Sequence, residues 1–277
     1  TAVLGSAYYH GMKDVGVVAT AKHFPGHGAT DTDSHGALPE ITIDEQKLWE
    51  RELVPYRMLI REGLPSIMSG HLSYPNIIGK DKPSSLSGYF QTTLLRERMG
   101  FTGVLVTDDL YMQGAMQWSE SIEAICKKAL NVGNDIILLS KSPKTGGAIW
   151  QTLYTAMKED AAFRERVKDS VYRIVKLKLE YLKGEHTVPL YPAEKEGYST
   201  IPSKEAEQFF FNTACRSVTV LREKDIPYRP QEDTNILLAG QLQRFFDEGK
   251  RVFPEADVFY FPYSPFYSFR QEDLQNL

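Results

Sequence analysis

The fold class that the sequence predicts is α/β, with parallel strands joined by helices. Four short apolar runs alternate with longer stretches that carry helix signals. Because neighbouring parallel strands need a long crossover connection, this alternation indicates a parallel sheet with helices packed on it. Two further observations fit this class: ionisable residues cluster where the apolar runs end, and the composition changes after residue 182.

The alternation divides the first part of the chain into four strand–helix units. The predicted strands are Val15 to Ala21, Pro65 to His71, Gly103 to Thr107 and Asp135 to Leu139. The predicted helices are Ile43 to Glu62, Gly88 to Met99, Ser121 to Val132 and a long stretch from Ala148 to Leu182. The first strand is short and partly β-branched, which is typical of a strand buried on both faces. Its helix is expected to begin at Thr42 or Asp44 and to end at Gly63.

Four units amount to half of a known closed architecture. A whole (β/α)8 barrel takes about 250 residues, so residues 1–182 are expected to form the C-terminal half of a TIM-type catalytic barrel. Half a barrel leaves two open sheet edges, whereas a closed barrel has none. We therefore expect an upstream half, supplied by residues before Thr1 in the same precursor or by another chain.

A second domain is predicted after the barrel. Residues 183–202 combine prolines, glycines and charges without a period, as an interdomain linker does. Residues 203–277 then alternate again and predict the start of a second α/β domain, an αβα sandwich that is expected to be incomplete. Its predicted elements are a helix at Ser203 to Cys215, strands at Ser217 to Leu221, Asn235 to Gly240 and Asp257 to Tyr263, and a helix at Gln241 to Lys250.

Composition excludes several classes of protein. A formal net charge of −4 on 277 residues, 42% of them hydrophobic, describes an ordinary soluble globular chain that is not basic enough for nucleic acid. No apolar run approaches the roughly 20 residues of a membrane helix, and the first residues lack the features of a signal peptide. The chain itself leaves its compartment open. Cys126 and Cys215 are expected to be buried free thiols.

The ionisable residues that follow two of the strands are candidates for chemistry. Lys22 to His35, KHFPGHGATDTDSH, packs three histidines and two aspartates into a loop expected at the carboxyl end of the first strand. Asp108 ends the third strand, where a barrel enzyme could aim it at a substrate as a nucleophile. Its alternative role is that of a helix N-cap or a loop-fixing acceptor. Asp109 points the other way, because side chains alternate along a strand, and is expected to take that structural role.

Asp33-Ser34-His35 is the candidate partner of Asp108. A carboxylate bonded to one imidazole nitrogen fixes the tautomer and raises the basicity of the ring, which makes the other nitrogen a usable acid and base near neutral pH. The alternative is a surface loop in which Asp33 makes an Asx turn and His35 is solvated.

Two motifs then carry a resemblance. KHFPGHG followed by four residues and DSH, together with GFTGVLVTDDL from Gly100 onwards, resembles the signature of the β-N-acetylhexosaminidases of glycoside hydrolase family 3. The segments ELVPYRMLI, IMSGHLSYP, ALNVGNDIILL and SVTVLREKDIP are also similar to that family. The resemblance covers most of the chain from Val15 to Pro227. The DSH triplet favours this branch of the family over the β-glucosidases and xylosidases, which take their acid/base from a glutamate outside the barrel.

The resemblance implies a retaining hydrolase that removes terminal N-acetylglucosamine from peptidoglycan fragments or related glycans through a covalent glycosyl-aspartate. It assigns Asp108 as nucleophile, His35 as acid/base and Asp33 as its partner, with Lys22 and His23 on the sugar hydroxyls. It implies no cofactor and a carbohydrate as partner. It favours the cell envelope or secretion over the cytoplasm.

Two more residues and three alternative functions stay open. His71 is expected to line the substrate pocket or to cap a core hydrogen bond, and Met112 to pack against the sugar or the barrel mouth. The loop histidines and aspartates could in principle bind a metal, which would make the protein a metal-dependent hydrolase, although no second ligand cluster completes the shell. An inactive carbohydrate-binding fragment is the second alternative, and a phosphorylase that uses phosphate as acceptor is the third.

Overall fold

The computed structural model describes residues 1–30, 32, 36–119, 121–183, 202–219, 229–231 and 234–260. They belong to two compact units, Thr1–Leu190 and Tyr191–Leu277, each of which is described by itself. The boundary between the units falls within the expected linker, residues 183–202. Most of that linker, residues 184–201, lies outside the described residues.

A four-stranded parallel sheet organises the first unit, with strands in the order β1-β2-β3-β4. The strands are β1 (Thr20–Phe24), β2 (Ser66–Ser69), β3 (Val104–Asp109) and β4 (Ile136–Leu138). Pairs such as Ser66 with Val104 are in parallel register, which confirms the parallel α/β class. Among the described residues the sheet does not close into a barrel, so β1 and β4 each pair with one neighbour.

Helices connect and cover these strands. They are α1 (Ala2–Asp14), α2 (Glu45–Lys47), a π-helical segment (Leu48–Glu52), α3 (Val54–Arg61), α4 (Pro75–Ile78), a 3-10 turn (Ser84–Leu86), a second π-helical segment (Tyr89–Arg98), α5 (Gln113–Met116), α6 (Ile122–Asn131), α7 (Ala148–Glu159) and α8 (Ala161–Leu182). None of the helices in the described parts of the chain is both long and apolar enough to span a membrane.

The first strand is not where the sequence predicts it. Val15 and Val17 are 69% and 46% exposed, and β1 begins only at Thr20. The reason is α1, which the sequence analysis did not predict: the amides of Gly16 and Val17 donate to the carbonyls of Lys13 and Met12 and so close the helix. The apolar run therefore serves as a helix end and connection, and Lys22 and His23 belong to the strand.

The predicted helices differ from the observed ones mainly at their ends. Asp44 caps α2, since its Oδ1 accepts from the amide of Lys47 at 2.7 Å, and Gly63 ends the helical stretch with a φ of +86°. Ser121 caps α6 in the same way as Asp44 caps α2. The long stretch predicted from Ala148 to Leu182 is two helices, because Asp160 accepts from the amide of Phe163 and starts α8.

A buried carboxylate joins α8 to the amino-terminal end of the sheet. Asp135 precedes β4, and its side chain is 0% exposed. Its two oxygens accept from the guanidinium groups of Arg96, Arg166 and Arg173, from the hydroxyl of Ser170 and from the amide of Leu105. A buried charge is tolerated only when it is paired, and here three cations surround it. This cluster fixes the end of the sheet opposite the candidate site.

The second unit also follows an α/β pattern. Its elements are α9 (Lys204–Ser217), β5 (Leu237–Gly240), α10 (Gln243–Val252) and β6 (Asp257–Tyr260), with β5 and β6 paired in parallel. The strand predicted at 217–221 is wrong at Ser217, which ends α9, and residues 220–221 lie outside the described residues. Cys126 is buried as expected, but Cys215 in α9 is exposed.

Candidate active site

The carboxyl ends of three strands bring polar side chains together. His23 lies on β1, Asp108 lies near the end of β3, and His71 follows β2, which separates them. His23 Nε2 and Asp108 Oδ2 are 3.3 Å apart, and the two side chains are 28% and 16% exposed. A half-buried carboxylate beside an imidazole is thus placed where parallel α/β enzymes carry out chemistry.

Asp108 and Asp109 face different partners, as the alternation of a strand requires. Asp108 Oδ1 accepts from the amide of Asp109 at 2.8 Å. Asp109 Oδ1 accepts from the amides of Tyr111 and Ser140, at 3.1 and 3.0 Å, and so ties the turn after β3 to the loop after β4. Burial raises the pKa of Asp109, but the hydrogen bonds from Ser140 and Tyr111 outweigh it and leave the pKa below its ordinary value. Asp109 therefore has the contacts of a loop-fixing acceptor.

The surroundings of His23 lower its pKa. Burial lowers its pKa more than the nearby Asp108 carboxylate raises it, and the charges of Lys22, His27 and His71 lower it further. The His27 ring meets the His23 ring edge to face, with centroids 6.1 Å apart. Burial thus favours the neutral form of the His23 ring, whose Nε2 faces the Asp108 carboxylate.

An open cavity of about 880 Å³ lies along the free edge of β1. The side chains at the end of the cavity near the candidate site are Lys22, His23, His27 and Glu52. Apolar side chains of α1 and α3 line the rest of the cavity. Lys22 is exposed, so its ammonium group is accessible to a ligand.

His71 is placed differently from its neighbours. Its residue is 1% exposed, and its ring contacts the Ser85 hydroxyl through Nδ1 at 2.7 Å and the Asp109 carbonyl oxygen through Nε2 at 3.0 Å. Burial lowers its pKa, although the Asp109 carbonyl and the charges of Asp108 and Asp109 act in the opposite direction. Both ring nitrogens are engaged inside the protein. Of the two roles expected for His71, these contacts are those of a core hydrogen bond.

Met112 lies at the start of α5, 8% exposed. Its amide donates to the Asp109 carbonyl oxygen at 3.0 Å, so the residue closes the turn after β3. Gly114, two residues later, lies close to His71 and Ala37. A Cβ on Gly114 would lie 3.0 Å from the Cβ of His71 and 3.3 Å from the carbonyl oxygen of Ala37. The start of α5 is thus packed closely against the Cβ and backbone of His71.

The comparisons with known proteins decide the family. Residues 1–177 match the family model described as "Glycosyl hydrolase family 3 N terminal domain", which is more than half of the 277 residues. The chain belongs to glycosyl hydrolase family 3. It is 38% identical over 139 residues to a protein named Beta-hexosaminidase from Psychromonas ingrahamii, covering 50% of this chain and 40% of that relative.

Two solved structures of this family share the fold. A β-N-acetylglucosaminidase from Paenibacillus sp. str. FPU-7 superposes with a TM-score of 0.75 and 25% identity, over 99% of this chain and 58% of that one. A fungal multi-domain β-N-acetylglucosaminidase has a TM-score of 0.78 and 26% identity, over 99% of this chain and 33% of that one. The chain thus spans well under two thirds of the relatives it matches.

Part of the motif that resembles family 3 falls outside the described residues. Asp33, Ser34 and His35, together with Asp31, lie outside the described residues. Within the described part of the chain, no group of three or more His, Cys, Asp or Glu side chains is arranged to hold a metal ion. The site geometry therefore concerns His23, Asp108 and the groups that support them.

Three of those supporting residues were not predicted from the sequence. Ser85 bonds the His71 ring, Gly70 leaves room for His23, and Glu52 packs under the loop, where a Cβ on Gly26 would lie 3.2 Å from its Oε2. Ser84 and Ser85 form a pair of serines shortly before the second π-helical segment, and serines that become buried need hydrogen-bond partners. Nothing local in the sequence indicates the contacts of Gly70 or Glu52.

Proposed function

We propose that the chain is the nucleophile-bearing part of a retaining β-N-acetylhexosaminidase. The observation that carries the proposal is the half-buried carboxylate of Asp108, at the carboxyl end of β3 and 3.3 Å from His23, in a chain of glycosyl hydrolase family 3. The names of relatives, Beta-hexosaminidase and β-N-acetylglucosaminidase, support an N-acetylated sugar as the group that is removed.

The proposed reaction has two displacements. An Asp108 carboxylate oxygen attacks the anomeric carbon, the glycosidic C–O bond breaks, and the leaving oxygen takes a proton from His35. The second step reverses these roles: His35 takes a proton from water, the water oxygen attacks the anomeric carbon, and the bond to Asp108 breaks. Asp33 is proposed to orient the His35 ring by accepting from its other nitrogen.

The neighbours of Asp108 suit this chemistry. Lys22 is exposed beside the cavity along β1, and we assign it and His23 to the hydroxyl groups of the terminal sugar. His23 contacts the nucleophile itself, so it can bridge a sugar hydroxyl and the Asp108 carboxylate. Met112 is proposed to pack at the edge of the sugar site, while His71 supports the strand end from inside the protein. Fragments of peptidoglycan are the proposed substrates.

The free edge of β1 supports the barrel proposal. β1 pairs only with β2 among the described strands, and an open cavity with apolar walls lies beside it. Exposed strand edges are normally paired or covered. We propose that residues 1–182 form the C-terminal half of a TIM-type barrel, completed by β/α units of the same precursor or of another chain, with a linker at 183–202 and a second domain at 203–277.

Covalent trapping tests the proposed function. An N-acetylglucosaminide that carries fluorine at C5 and an activated leaving group should form the glycosyl-enzyme, which is then hydrolysed slowly, so the label should appear on the peptide that contains Thr107 to Leu110. Asp108→Asn should lose turnover and label while keeping the fold. Asp81→Asn, an exposed aspartate in a loop, is the matched control and should keep both.

Three outcomes would contradict the proposal. Label on another peptide would remove Asp108 as nucleophile. Sugar binding without turnover or label, in a preparation that contains the whole barrel, would favour a carbohydrate-binding protein. A sugar phosphate as the main product when inorganic phosphate is present would replace hydrolysis by phosphorolysis.

A further inference from the structure

A buried chain of hydrogen bonds runs from the turn after β2 to the strand end that carries Asp108. Its members are the Ser85 hydroxyl, the His71 ring and the Asp109 carbonyl oxygen, joined by contacts of 2.7 and 3.0 Å. Ser85 is 0% exposed and His71 1% exposed. No sugar can reach these atoms directly, so any effect they have on catalysis has to pass through Asp109.

The partners of the His71 ring fix where its proton lies. A carbonyl oxygen only accepts hydrogen bonds, so Nε2 has to carry the hydrogen that points at Asp109. A neutral ring then has an unprotonated Nδ1, which accepts the hydrogen of the Ser85 hydroxyl. Burial favours this neutral form, since it lowers the pKa of His71. The ring is therefore a neutral imidazole with its hydrogen on Nε2.

Ser85 is itself held in place. The carbonyl oxygen of Ser85 accepts from the side-chain amide of Asn134 at 2.9 Å, and Asn134 also donates to Ala129 and accepts from Ser69. The preceding Ser84 donates its hydroxyl to the carbonyl oxygen of Gly70 at 2.8 Å. Hydrogen bonds thus tie the 3-10 turn that contains Ser84 and Ser85 to α6 and to the end of β2. The Ser85 hydroxyl that contacts the His71 ring therefore belongs to a well-anchored turn.

Asp109 passes this restraint to Asp108. Its carbonyl oxygen accepts from His71 and from the amide of Met112, its carboxylate accepts from Tyr111 and Ser140, and its amide donates to Asp108 Oδ1 at 2.8 Å. Both peptide units that flank the Cα of Asp109 are therefore hydrogen-bonded, the 108–109 unit through its N–H and the 109–110 unit through its carbonyl oxygen. Asp108 Oδ1 is bound by the amide of Asp109, and Oδ2 faces His23.

We propose that Ser85 and His71 are positioning residues that hold the carbonyl group of Asp109, restrain the backbone of that residue and thereby fix the orientation of the Asp108 carboxylate. This inference rests on the proposed role of Asp108 as nucleophile. The His71 ring acts as a donor of one hydrogen bond to a main-chain oxygen and makes no contact with substrate. Its value to the reaction is the preorganisation of the attacking oxygen before the sugar binds.

Two substitutions at His71 distinguish the effect of its hydrogen-bond donor from the effect of its side-chain volume. In His71→Gln the side-chain amide nitrogen can occupy the place of Nε2 and still donate to the Asp109 carbonyl, whereas His71→Leu has similar volume and no donor. We expect His71→Leu to lower kcat roughly tenfold, as the loss of one buried hydrogen bond would, with an unchanged KM. His71→Gln should recover most of that loss. His10→Gln, on the exposed face of α1, is the control and should match the parent.

Ser85→Ala and nuclear magnetic resonance supply a readout that does not depend on turnover. In the parent protein, two-bond 1H–15N correlations of His71 should show the hydrogen on Nε2, and burial should keep the ring neutral to a lower pH than a solvent-exposed imidazole. Ser85→Ala removes the donor to Nδ1 and should shift the ring towards a mixture of tautomers.

Three results would overturn the proposal. These are a His71 ring with its hydrogen on Nδ1, equal kcat values for the Gln and Leu variants, and a loss confined to KM. If the parent shows no glycosidase activity at all, the proposed function fails. The tautomer measurement then still decides whether the Ser85–His71–Asp109 chain exists.

Discussion

His23 Nε2 and Asp108 Oδ2 lie 3.3 Å apart although their strands are not neighbours, since β2 runs between β1 and β3. The contact passes over the end of β2, at Gly70. A Cβ on Gly70 would lie 2.9 Å from the Cβ of His23, closer than side chains pack. The contact between the His23 imidazole and the Asp108 carboxylate therefore requires glycine at position 70.

Gly70→Ala is the direct test of this relationship. The added methyl group has to push His23 away from its place, which we expect to lower kcat/KM by up to about 100-fold, the cost of a displacement near 1 Å. Overpacking should also cost about 1–3 kcal/mol of the free energy of unfolding. Steady-state kinetics on an aryl N-acetylglucosaminide and urea titration measure the two effects.

Gly88→Ala is the matched control for that prediction. Gly88 has helical backbone angles before the second π-helical segment, and nothing lies within 4 Å of a Cβ there. Its substitution should leave activity unchanged and raise stability by up to about 1 kcal/mol. A Gly70→Ala protein as active as the Gly88→Ala protein would show that the position of His23 is unimportant for turnover.

His35→Ala tests the proposed acid/base, whose position lies outside the described residues. Only a poor leaving group needs a proton as the glycosidic bond breaks, so the loss should be about 10²–10⁴-fold for such substrates and much smaller for activated aryl glycosides. The measurement is kcat/KM across a series of leaving groups of rising pKa. Equal losses across the series would indicate a structural role for His35.

Local signals predicted much of this fold because they act over a few residues. The alternation expected at Asp108 and Asp109 follows from the two-residue period of a strand, and the two side chains do have different partners. The cap at Asp44 and the helix end at Gly63 are local in the same way. The second and third strands are short apolar runs that begin near Pro65 and Gly103.

The position of the first strand and the role of His71 were not determined by the sequence. The run from Val15 is as apolar as a strand, but the amides of Gly16 and Val17 close α1 instead. Because α1 is only weakly amphipathic, the sequence does not indicate a helix before this run. For His71 two roles stayed open, because its ring contacts residues far away in the sequence: Ser85, 14 residues on, and Asp109, 38 residues on. A histidine at a strand end looks the same in sequence whether it faces a ligand or the core.

The pH dependence of stability should show the buried His71. Its folded pKa is lowered from 6.5 by burial, against the opposing effects of the Asp109 carbonyl and of the charges of Asp108 and Asp109. Below about pH 6.5 the unfolded chain therefore binds a proton that the folded chain does not. The free energy of unfolding should fall with decreasing pH through this window, until the folded pKa is reached.

His71→Gln should flatten that dependence by at most about 1.4 kcal/mol per pH unit, the slope for one proton. His23 has a lowered pKa as well and will leave part of the slope in the variant. Denaturant titrations of the parent, His71→Gln and His10→Gln proteins between about pH 7 and 5 make the comparison. Parallel curves for the parent and His71→Gln would mean that His71 titrates normally in the folded protein.

The cluster at the opposite end of the sheet makes a prediction about stability alone. Asp135 is the carboxylate shared by Arg96, Arg166 and Arg173. Burial lowers the pKa of Arg96 to about 10 despite the attraction of Asp135, with Arg173 and Arg166 adding to the effect, so Arg96 stays charged at pH 7. Removing the one negative charge leaves three guanidinium groups repelling each other.

We expect Asp135→Asn to lower the free energy of unfolding by roughly 3–5 kcal/mol, as the loss of one partner from a buried ion pair does. Asp169→Asn, exposed on α8, should change it by less than about 0.5 kcal/mol. All three tryptophans, Trp49, Trp118 and Trp150, belong to the first unit, so their fluorescence follows its unfolding separately from the second. A decrease in the free energy of unfolding below about 1 kcal/mol would mean that solvent or the hydroxyl of Ser170 can replace the carboxylate. In that case apolar contacts hold α8 to the sheet.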